Sequence, residues 1–366
     1  MKKKKILILA NNSTGLYKFR KELLTKLLGE YSNVYIALPR GSYIEKLQEL
    51  GCNYIETGFD RRGQNPLGEV RLICKYIEIA RKIKPDLVLT YTIKPNIYGG
   101  IVCSFFNIPY MPNITGIGTS MQEGSKIRSL LTFLYKLAFR KASCVFFQNT
   151  DNMTLFKKTI LSNQKTCLIP GSGVNISENA YVEYPDEDKI RFLSVFRIMK
   201  DKGIEELLRA SKYLNDKYEN LVFDLVGTFD DLEYEEEIKA LQKAGVINHL
   251  GFRKDVCKIM AKSHCVIHPS YHEGLSNVLL EAAACGRPVI ASKIPGCQET
   301  FVEGVSGIGV EAKSAKSLIE GVGKFLALSY EERAEMGKRG RKHVEKNFDR
   351  KIVINKYMEE INRLIG

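Results

Sequence analysis

Short apolar runs alternate along this chain with longer stretches in which apolar residues recur at helical spacing. Apolar runs of this kind are typical of strands buried on both faces of a parallel sheet, and the longer stretches predict amphipathic helices. The first half predicts strands at residues 6–10, 34–38, 53–56, 87–90 and 144–148, and helices at 17–28, 43–50, 67–83 and 126–143. The second half predicts strands at residues 192–196, 222–226, 265–268 and 289–291. The pattern therefore predicts an α/β protein built from doubly wound parallel sheets.

The alternation is interrupted at residues 170–189, a stretch rich in Gly, Ser, Asn, Pro and acidic residues. A chain of 366 residues exceeds what one core usually holds, so this stretch is the best candidate for a domain boundary. We predict a first Rossmann-like domain at residues 1–170, a linker at 171–189, a second Rossmann-like domain at 190–348 and a final helix at 349–366. In such domains, ligands bind where loops leave the carboxyl ends of the strands.

Composition and charge narrow the class of protein. The apolar share of 44% and the charged share of 27% are those of a soluble globular chain. The net charge of +13 favours either solubility alone or an anionic partner, such as a phosphate-bearing ligand, an anionic membrane surface or nucleic acid. No nucleic-acid-binding module is recognisable, so we predict no nucleic-acid partner.

Cysteine use and the absence of long apolar segments bear on location. The nine cysteines stand singly, without a C-x-x-C pair, which indicates reduced thiols rather than disulfides or a zinc ribbon. The apolar run at residues 6–10 is too short for the core of a signal peptide. No segment approaches the ~20 apolar residues of a membrane span. We predict a cytoplasmic protein, and a peripheral position at the inner face of the cell membrane stays open.

The stretch HPSYHEGLSNVLLEAAACGRPVIAS, residues 268–292, carries the most chemistry. Ser276 is a candidate N-cap for the helix that follows, whose first N–H groups favour a phosphate. Gly274 has no Cβ, so the backbone there can approach a ligand closely. Glu273 precedes the helix and Glu281 lies inside it. The two carboxylates would flank a bound phosphate and accept hydrogen bonds from sugar hydroxyls.

A metal site is the alternative interpretation of the same stretch. His268 and His272 are four residues apart, and Glu273 follows directly. An H-x-x-x-H pair binds zinc well on a helix, but Pro269 and the strand before it argue against a helix here. We therefore predict no metal.

Four segments of the second half together resemble a known signature. FRIMKDKGIEEL places Arg197 and Lys202 in an R-x4-K-G segment, LVGTFDD contains Gly227, LGFRKDV follows, and Glu273 and Glu281 form an E-x7-E pair. In this order, the segments resemble the retaining glycosyltransferases of family 4. The resemblance implies the GT-B fold, with two Rossmann-like domains, a sugar nucleotide in the cleft between them, and a final helix that packs back on the first domain.

The resemblance also implies a role for each matching residue. Glu281 would hold the ribose hydroxyls and Glu273 the donor sugar, while Arg197 and Lys202 would neutralise the leaving diphosphate. Arg, Lys and a helix dipole can compensate this charge without a metal ion. Glu273, Arg197 and Lys202 are accordingly the predicted catalytic residues, and no cofactor is expected.

The remaining donor contacts follow from the same resemblance. The backbone N–H groups of Leu275 and Ser276 would meet the distal phosphate. Gly227 would close the loop after the second strand of its domain. Phe252 and Arg253 lie in the segment that would meet the nucleotide base.

The first half matches the family more loosely. Gly15 lies where the family has a glycine-rich turn that faces the donor phosphates. The stretches TYTIKPNIYGG, residues 90–100, and NITGIGTSMQEGSK, residues 113–126, are similar to segments of bacterial enzymes that extend undecaprenyl-diphosphate-linked sugars for capsule, lipopolysaccharide or glycoprotein assembly. Gly116 and Gly118 are therefore candidates for the acceptor side.

One feature departs from the family. Many members have a histidine in the catalytic region of the first domain, whereas the first histidine of this chain is His249. Lys94 or Asn96 is the candidate for the place of that histidine.

The predicted helix within residues 125–143 is amphipathic. Its apolar positions recur at helical spacing and are Ile127, Leu130, Leu131, Leu134, Leu137 and Ala138. Basic residues surround them and are Lys126, Arg128, Lys136, Arg140 and Lys141. Two interpretations stay open, a surface helix packed on the core and a helix that lies on an anionic membrane.

The sequence as a whole predicts a retaining glycosyltransferase. It would move a hexose or N-acetylhexosamine from a nucleoside-diphosphate sugar, with UDP the expected nucleotide, to a growing glycan carried by a lipid such as undecaprenyl diphosphate. The resemblance implies that the leaving phosphate helps to deprotonate the acceptor. Two alternatives remain: a sugar-nucleotide epimerase of the same fold, and a non-catalytic nucleotide-binding partner in polysaccharide assembly.

Overall fold

The computed structural model describes residues 2–58, 66–116 and 127–366. The chain divides into two compact units. Unit 1 comprises residues 1–172 together with 351–366, and unit 2 comprises residues 173–350.

Unit 1 is built on a parallel sheet that, within the described residues, has seven strands in the order β3-β2-β1-β4-β5-β6-β7. The strands are β1 (Lys2–Leu9), β2 (Tyr31–Leu38), β3 (Asn53–Glu56), β4 (Leu87–Tyr91), β5 (Tyr110–Ile114), β6 (Val145–Phe147) and β7 (Thr166–Leu168). All five strands predicted in the first half are present, and β5 and β7 were missed. Pro112 and Asn113 make β5 read as a loop, yet Pro112 pairs with Thr90 in the interior of the sheet.

Helices cover both faces of this sheet. They are α1 (Ser13–Glu30), α2 (Ile44–Glu49), α3 (Pro66–Ile83), α4 (Gly100–Phe106), α5 (Arg128–Phe139), α6 (Thr150–Thr159) and α13 (Arg350–Ile365). One core layer joins the sheet to α1, α2 and α13, and the other joins it to α3, α4, α5 and α6. No helix in the described part of the chain is long and apolar enough to cross a membrane.

The last helix is fastened to unit 1 through an aromatic cluster. Tyr357 of α13 stacks on Phe146 of β6 with ring centroids 4.4 Å apart. The buried guanidinium of Arg20 lies 5.8 Å from the Tyr357 ring centroid and 5.1 Å from that of Tyr91. Arg20 therefore ties α1, the end of β4 and the last helix together through cation–π contacts.

Unit 2 repeats the architecture with six described strands in the order β10-β9-β8-β11-β12-β13. The strands are β8 (Ile190–Val195), β9 (Leu221–Val226), β10 (Asn248–Gly251), β11 (Cys265–His268), β12 (Val289–Ser292) and β13 (Gly307–Val310). The helices are α7 (Ile204–Lys217), α8 (Glu235–Lys243), α9 (Val256–Ala261), α10 (Asn277–Ala284), α11 (Ala315–Leu326) and α12 (Tyr330–Phe348). The four strands predicted in this half are present. The missed strands, β10 and β13, are short and contain glycine, which weakens a strand pattern.

The segment predicted as a linker packs against unit 2. The N–H of Val182 donates to the carbonyl of Cys285 at 3.4 Å. The fully buried guanidinium of Arg287 donates to the carbonyl of Glu183 at 2.9 Å and lies 5.6 Å from the Tyr184 ring centroid. These contacts account for the segment's place in unit 2, which begins at Gly173.

The strand order fixes where each unit can hold a ligand. In unit 2, β8 has β9 on one side and β11 on the other, so the chain changes direction across the sheet between β8 and β11. In unit 1, the same reversal lies between β1 and β4. Loops that leave the carboxyl ends of these strand pairs diverge to opposite faces and leave a crevice, which is the usual ligand site of such sheets.

A buried histidine makes the stability of unit 2 depend on pH. Burial lowers the pKa of His264 to about 4, and its Nδ1 accepts the backbone N–H of Arg191 at 3.1 Å. The unfolded chain therefore binds a proton on this ring at a higher pH than the folded chain does. Stability is lost as pH falls from the unfolded pKa of about 6.5 toward 4, by up to about 3 kcal/mol.

His264→Asn should reduce this acid-side loss, because asparagine offers an acceptor to Arg191 without titrating. Urea unfolding at about pH 7 and about pH 5 measures the difference in unfolding free energy. His343→Asn, at a partly exposed histidine of α12, is the matched control for the loss of one histidine from unit 2. An unaltered pH dependence in His264→Asn would contradict the assignment.

Candidate active site

The loops after β8 and β11 approach each other at the crevice of unit 2. Lys202 ends a short 3-10 turn, Lys200–Lys202, and Gly203 follows with a φ of 74°. A Cβ on Gly203 would lie 2.1 Å from the carbonyl oxygen of Pro269. Glycine is therefore required here for two reasons, the left-handed backbone and the contact between the two loops. This contact accounts for the K-G pair of the sequence and brings Lys202 to the loop that carries Glu273.

Glu273 is held by two partners. Its Oε1 lies 2.6 Å from Nζ of Lys202 and 2.9 Å from Nε2 of His268. Burial alone would raise the pKa of Glu273, but the hydrogen bond from His268 and the charge of Lys202 outweigh it and lower that pKa to about 2. An ionised carboxylate only accepts hydrogen bonds, so His268 donates from Nε2.

His268 is a residue whose place in the site the sequence did not reveal. From the sequence, His268 is considered only as a metal ligand. In the structure, it ends β11 and donates a hydrogen bond to the Glu273 carboxylate. Its position in the sequence could have indicated this role, because His268 ends a buried strand five residues before Glu273. Within the described ranges, no group of three His, Cys, Asp or Glu side chains is placed to hold a metal ion.

Arg197 leaves the end of β8 and is half exposed. It forms an ion pair with Asp230, which follows β9. The two loops are also joined by backbone bonds, from Ile198 N–H to Thr228 O at 2.8 Å and from Asp230 N–H to Ile198 O at 2.9 Å. Asp230 was not singled out in the sequence, although the acidic pair in LVGTFDD was a signal. Both predicted diphosphate-binding cations thus have carboxylate partners in this structure.

Gly227 is a point of close approach between three loops. A Cβ there would lie 1.8 Å from the carbonyl oxygen of Phe196. Its N–H donates to Gly251 O at 3.0 Å, and its carbonyl lies 2.9 Å from Nε2 of His249. Packing by itself therefore accounts for this glycine, which the sequence predicted as a donor contact.

The segment predicted to meet a nucleotide base is held next to Gly227 by these bonds. The Phe252 side chain is 59% exposed, so its ring is accessible for stacking. Arg253 makes two hydrogen bonds to Asp255, at 2.9 and 2.8 Å. Both residues of this pair lie on the surface.

The start of α10 carries two buried polar atoms without partners among the described residues. They are Oγ of Ser276 and Oδ1 of Asn277, and Oγ of Ser292, at the end of β12, is a third such atom in unit 2. Ser276 occupies the N-cap position but its side chain makes no capping bond. Its N–H, predicted to reach a phosphate, donates in this structure to the carbonyl of Gly296 at 2.8 Å. Leu275 and Gly274, directly before it, are buried.

Gly296 is a second residue that the sequence did not reveal. Its φ is 88°, and a Cβ there would lie 2.8 Å from the carbonyl oxygens of Glu273 and Gly274. The loop after β12 therefore supports the backbone on both sides of the carboxylate. In the sequence, the Pro295-Gly296 pair shortly after a buried strand could have indicated a tight turn at this position. Glu281 lies inside α10 at a partly exposed position.

The predicted residues of unit 1 lie at its own strand ends. Gly15 is in the first turn of α1, where its N–H donates to Oδ1 of the N-cap Asn12 at 2.6 Å. Nζ of Lys94 lies 2.7 Å from Oε1 of Glu69, and both side chains are about four-fifths buried. Gly116 follows β5 with a φ of 149°, and Gly118 lies outside the described residues.

Asn96 is part of the core rather than of an accessible surface. Its Oδ1 accepts from Thr90 Oγ1 at 2.6 Å, and its Nδ2 donates to Asn113 O at 2.8 Å. Only 1% of its surface is exposed. Asn96 therefore cannot contact an acceptor in this conformation, which leaves Lys94 as the candidate of the two.

Comparison with protein families matches most of the chain. The family model described as Glycosyl transferases group 1 matches residues 177–343, and the model described as Glycosyl transferase 4-like matches residues 5–149.

Individual proteins agree with the family matches. The chain is 26% identical to the N,N'-diacetylbacillosaminyl-diphospho-undecaprenol alpha-1,3-N-acetylgalactosaminyltransferase of Campylobacter jejuni, with 98% of each chain covered. It is also 26% identical to the capsular polysaccharide biosynthesis glycosyltransferase CapM of Staphylococcus aureus, with 78% of each covered. The crystal structure of Anabaena Alr3699/HepE in complex with UDP superposes with a TM-score of 0.78 at 21% identity, over 98% of this chain and 99% of that one. The structural match confirms the predicted GT-B fold.

Replacing Lys202 should change the acid-side stability of unit 2. Because the folded pKa of Glu273, about 2, lies below its ordinary 4.5, the carboxylate contributes stability above about pH 4.5 that is lost as pH falls toward 2. Lys202→Gln removes one source of this lowering and should cost about 2 kcal/mol at neutral pH, with a smaller cost at about pH 3.

Urea unfolding free energies at the two pH values test this. Lys200→Gln is the matched control, because Lys200 pairs with Glu205 on the surface of the same turn. The control should change stability little at either pH. An equal loss at both pH values in Lys202→Gln would show that Lys202 does not stabilise the ionised carboxylate.

Proposed function

Because the chain belongs to the GT-B glycosyltransferases, we propose that it transfers a hexose or N-acetylhexosamine from a UDP-sugar to a growing lipid-linked glycan, with retention at the anomeric carbon. The observation that carries the proposal is the contact of Lys202, after β8, with Glu273, which precedes α10, while Arg197 leaves the carboxyl end of β8 at the same edge of the sheet. Similar proteins act on undecaprenol-linked substrates or bind UDP, which supports the choice of substrates.

The two cations act on the leaving group in this proposal. A nucleoside diphosphate departs only when the charge that develops on it is compensated. A diphosphate at the crevice competes with Asp230 for Arg197 and with Glu273 for Lys202, the two carboxylate partners of these cations. The buried polar atoms at the start of α10 gain hydrogen-bond partners at the same time.

Glu273 then contacts the donor sugar. With a pKa of about 2 it is ionised at neutral pH, so it accepts hydrogen bonds from sugar hydroxyls. His268 keeps the carboxylate oriented from the end of β11, because its hydrogen bond does not depend on Lys202. Phe252 is the exposed ring that offers a stacking surface to the base.

Retention follows from attack on the face that the diphosphate leaves. The bond from the anomeric carbon to the phosphate oxygen breaks, and a bond to the acceptor oxygen forms on the same side. The acceptor proton passes to the departing phosphate oxygen, so no side-chain nucleophile is needed. On the acceptor side, Lys94 is the residue at the end of β4 that is positioned by an ion pair, with Glu69.

Binding should be selective for uridine nucleotides and independent of metal. We expect UDP and UDP-sugars to raise the midpoint of thermal unfolding, with and without a chelator, and GDP and ADP to raise it less. The shift should shrink in Arg197→Ala. The absence of a shift with any nucleotide would overturn the donor site, and loss of the UDP shift in chelator would overturn its independence of metal.

Turnover should depend on both cations. Arg197→Ala and Lys202→Ala should each lower kcat roughly 10²–10³-fold, the usual cost of one lost anion-stabilising group. Lys200→Ala, on the same loop, is the matched control and should keep near-normal turnover. Sugar transfer to a synthetic lipid-diphosphate acceptor, followed by NMR of the new linkage, reports both rate and stereochemistry.

The products of this assay separate the alternatives. An inverted linkage would contradict the proposed retention, and near-normal kcat in either variant would remove the diphosphate role. Conversion of the UDP-sugar to its epimer without transfer would identify an epimerase. Binding of UDP-sugars without any product would identify a non-catalytic binding protein.

A further inference from the structure

The outer face of α5 carries a row of exposed apolar side chains. Leu130, Phe133 and Leu137 are 58%, 63% and 44% exposed. Their spacing of three and four residues places them on one side of the helix. We call these three residues the α5 stripe. Ile127, directly before the helix, is 44% exposed and extends the same apolar surface.

The α5 stripe is not needed to attach the helix to its unit. The opposite side of α5 carries Tyr135, Ala138 and Phe139, which are at most 1% exposed and belong to the core layer on this face of the sheet. The helix therefore packs on the core, as one of the two interpretations of the sequence has it. One side packs on the core, and the other remains apolar and exposed.

A neighbouring element also carries an exposed aromatic side chain. Phe105, near the end of α4, is 76% exposed. Lys141, just after α5, donates to the carbonyl of Ser104 at 3.2 Å and to Oδ1 of Asn107 at 2.6 Å. These bonds hold the end of α4, and Phe105 with it, against the end of α5.

Positive charge lies directly beside the stripe. Lys136 of α5, Arg140 directly after that helix and Lys158 of α6 line one surface pocket, with Thr159, Ser162 and Gln164 among the other lining residues. Among the residues that the structure describes, no acidic residue lines this pocket. In the described part of the chain, none of the three cations forms an ion pair. We call this site the α5–α6 basic pocket.

We propose that the α5 stripe and the α5–α6 basic pocket together dock the protein on an anionic lipid bilayer. The stripe enters the boundary between headgroups and acyl chains, and the pocket receives a lipid phosphate. A bilayer offers an apolar phase and negative charge side by side, as this surface requires. Nucleic acid offers only the charge, and a second copy of this chain would bring a net charge of +13 against the same sign.

This inference goes beyond the proposed function, since it rests on a surface of unit 1 and on none of the candidate donor residues. Its test therefore needs no substrate. If vesicle binding fails while sugar transfer to a detergent-dispersed acceptor is normal, only the docking inference is lost. If binding succeeds without transfer, only the proposed function is lost.

Vesicle co-sedimentation of the full chain is the first measurement. We expect binding to vesicles that contain phosphatidylglycerol and little binding to pure phosphatidylcholine. Lys136→Gln, Arg140→Gln and Lys158→Gln together should weaken binding about a hundredfold, because each lysine or arginine near an anionic surface contributes about a factor of five. Lys338→Gln, Lys342→Gln and Lys346→Gln on α12 remove the same charge elsewhere and should have little effect.

Leu130→Ser, Phe133→Ser and Leu137→Ser together should also weaken binding by about a hundredfold or more, through the loss of buried apolar surface. A single substitution tests the same surface with less risk that the variant misfolds. The chain contains no tryptophan, so Phe133→Trp gives a single fluorescent reporter. Its emission should shift to shorter wavelength with anionic vesicles, whereas Leu232→Trp, at a 72% exposed position of unit 2, should not shift.

Three results would overturn the inference. The first is the absence of binding to anionic vesicles at low salt. The second is equal binding by the unchanged protein and both triple variants. The third is a dimer, detected by light scattering, that the serine variant dissociates while vesicle binding persists, which would assign the stripe to a second copy of the chain.

Discussion

The shared contact of Lys202 and His268 with the carboxylate of Glu273 is the interaction around which unit 2 is arranged. It joins the loops after β8 and β11 at the point where the strand order reverses. Gly203 lets these two loops touch, and Gly296 lets a third loop pass behind the carboxylate. A buried ionised group is costly unless it is paired and hydrogen-bonded, so the surrounding backbone is constrained to supply both partners.

The same region leaves other polar atoms unsatisfied. Buried oxygens of Ser276, Asn277 and Ser292 have no partner among the described residues, although such atoms cost about 1–3 kcal/mol each. Local rules for a stable fold are commonly broken where a ligand completes the structure. In unit 2, the loop that carries the paired Glu273 therefore leads into a helix start whose buried polar atoms lack partners.

Much of this was predictable, and the failures have physical causes. The nine predicted strands were found from short apolar runs, which are typical of strands in parallel sheets, although β3 is not buried on both faces. By contrast, β5 was missed because Pro112 and Asn113 look like a loop until tertiary contacts bury them. Asn96 looked accessible for the same reason, since its partners come from other strands. The E-x7-E and R-x4-K-G spacing located Glu273 and Lys202, but only the fold shows that Asp230 pairs with Arg197.

The position of the last helix has a consequence for how the chain is made. Unit 1 is discontinuous, because residues 351–366 complete a core that begins with β1. Val353, Tyr357 and Ile361 fill that core from α13. During synthesis, domains usually fold in the order in which they emerge. Here the first unit emerges first but lacks part of one core layer until α13 has left the ribosome, so unit 2 is the first part that can fold to completion.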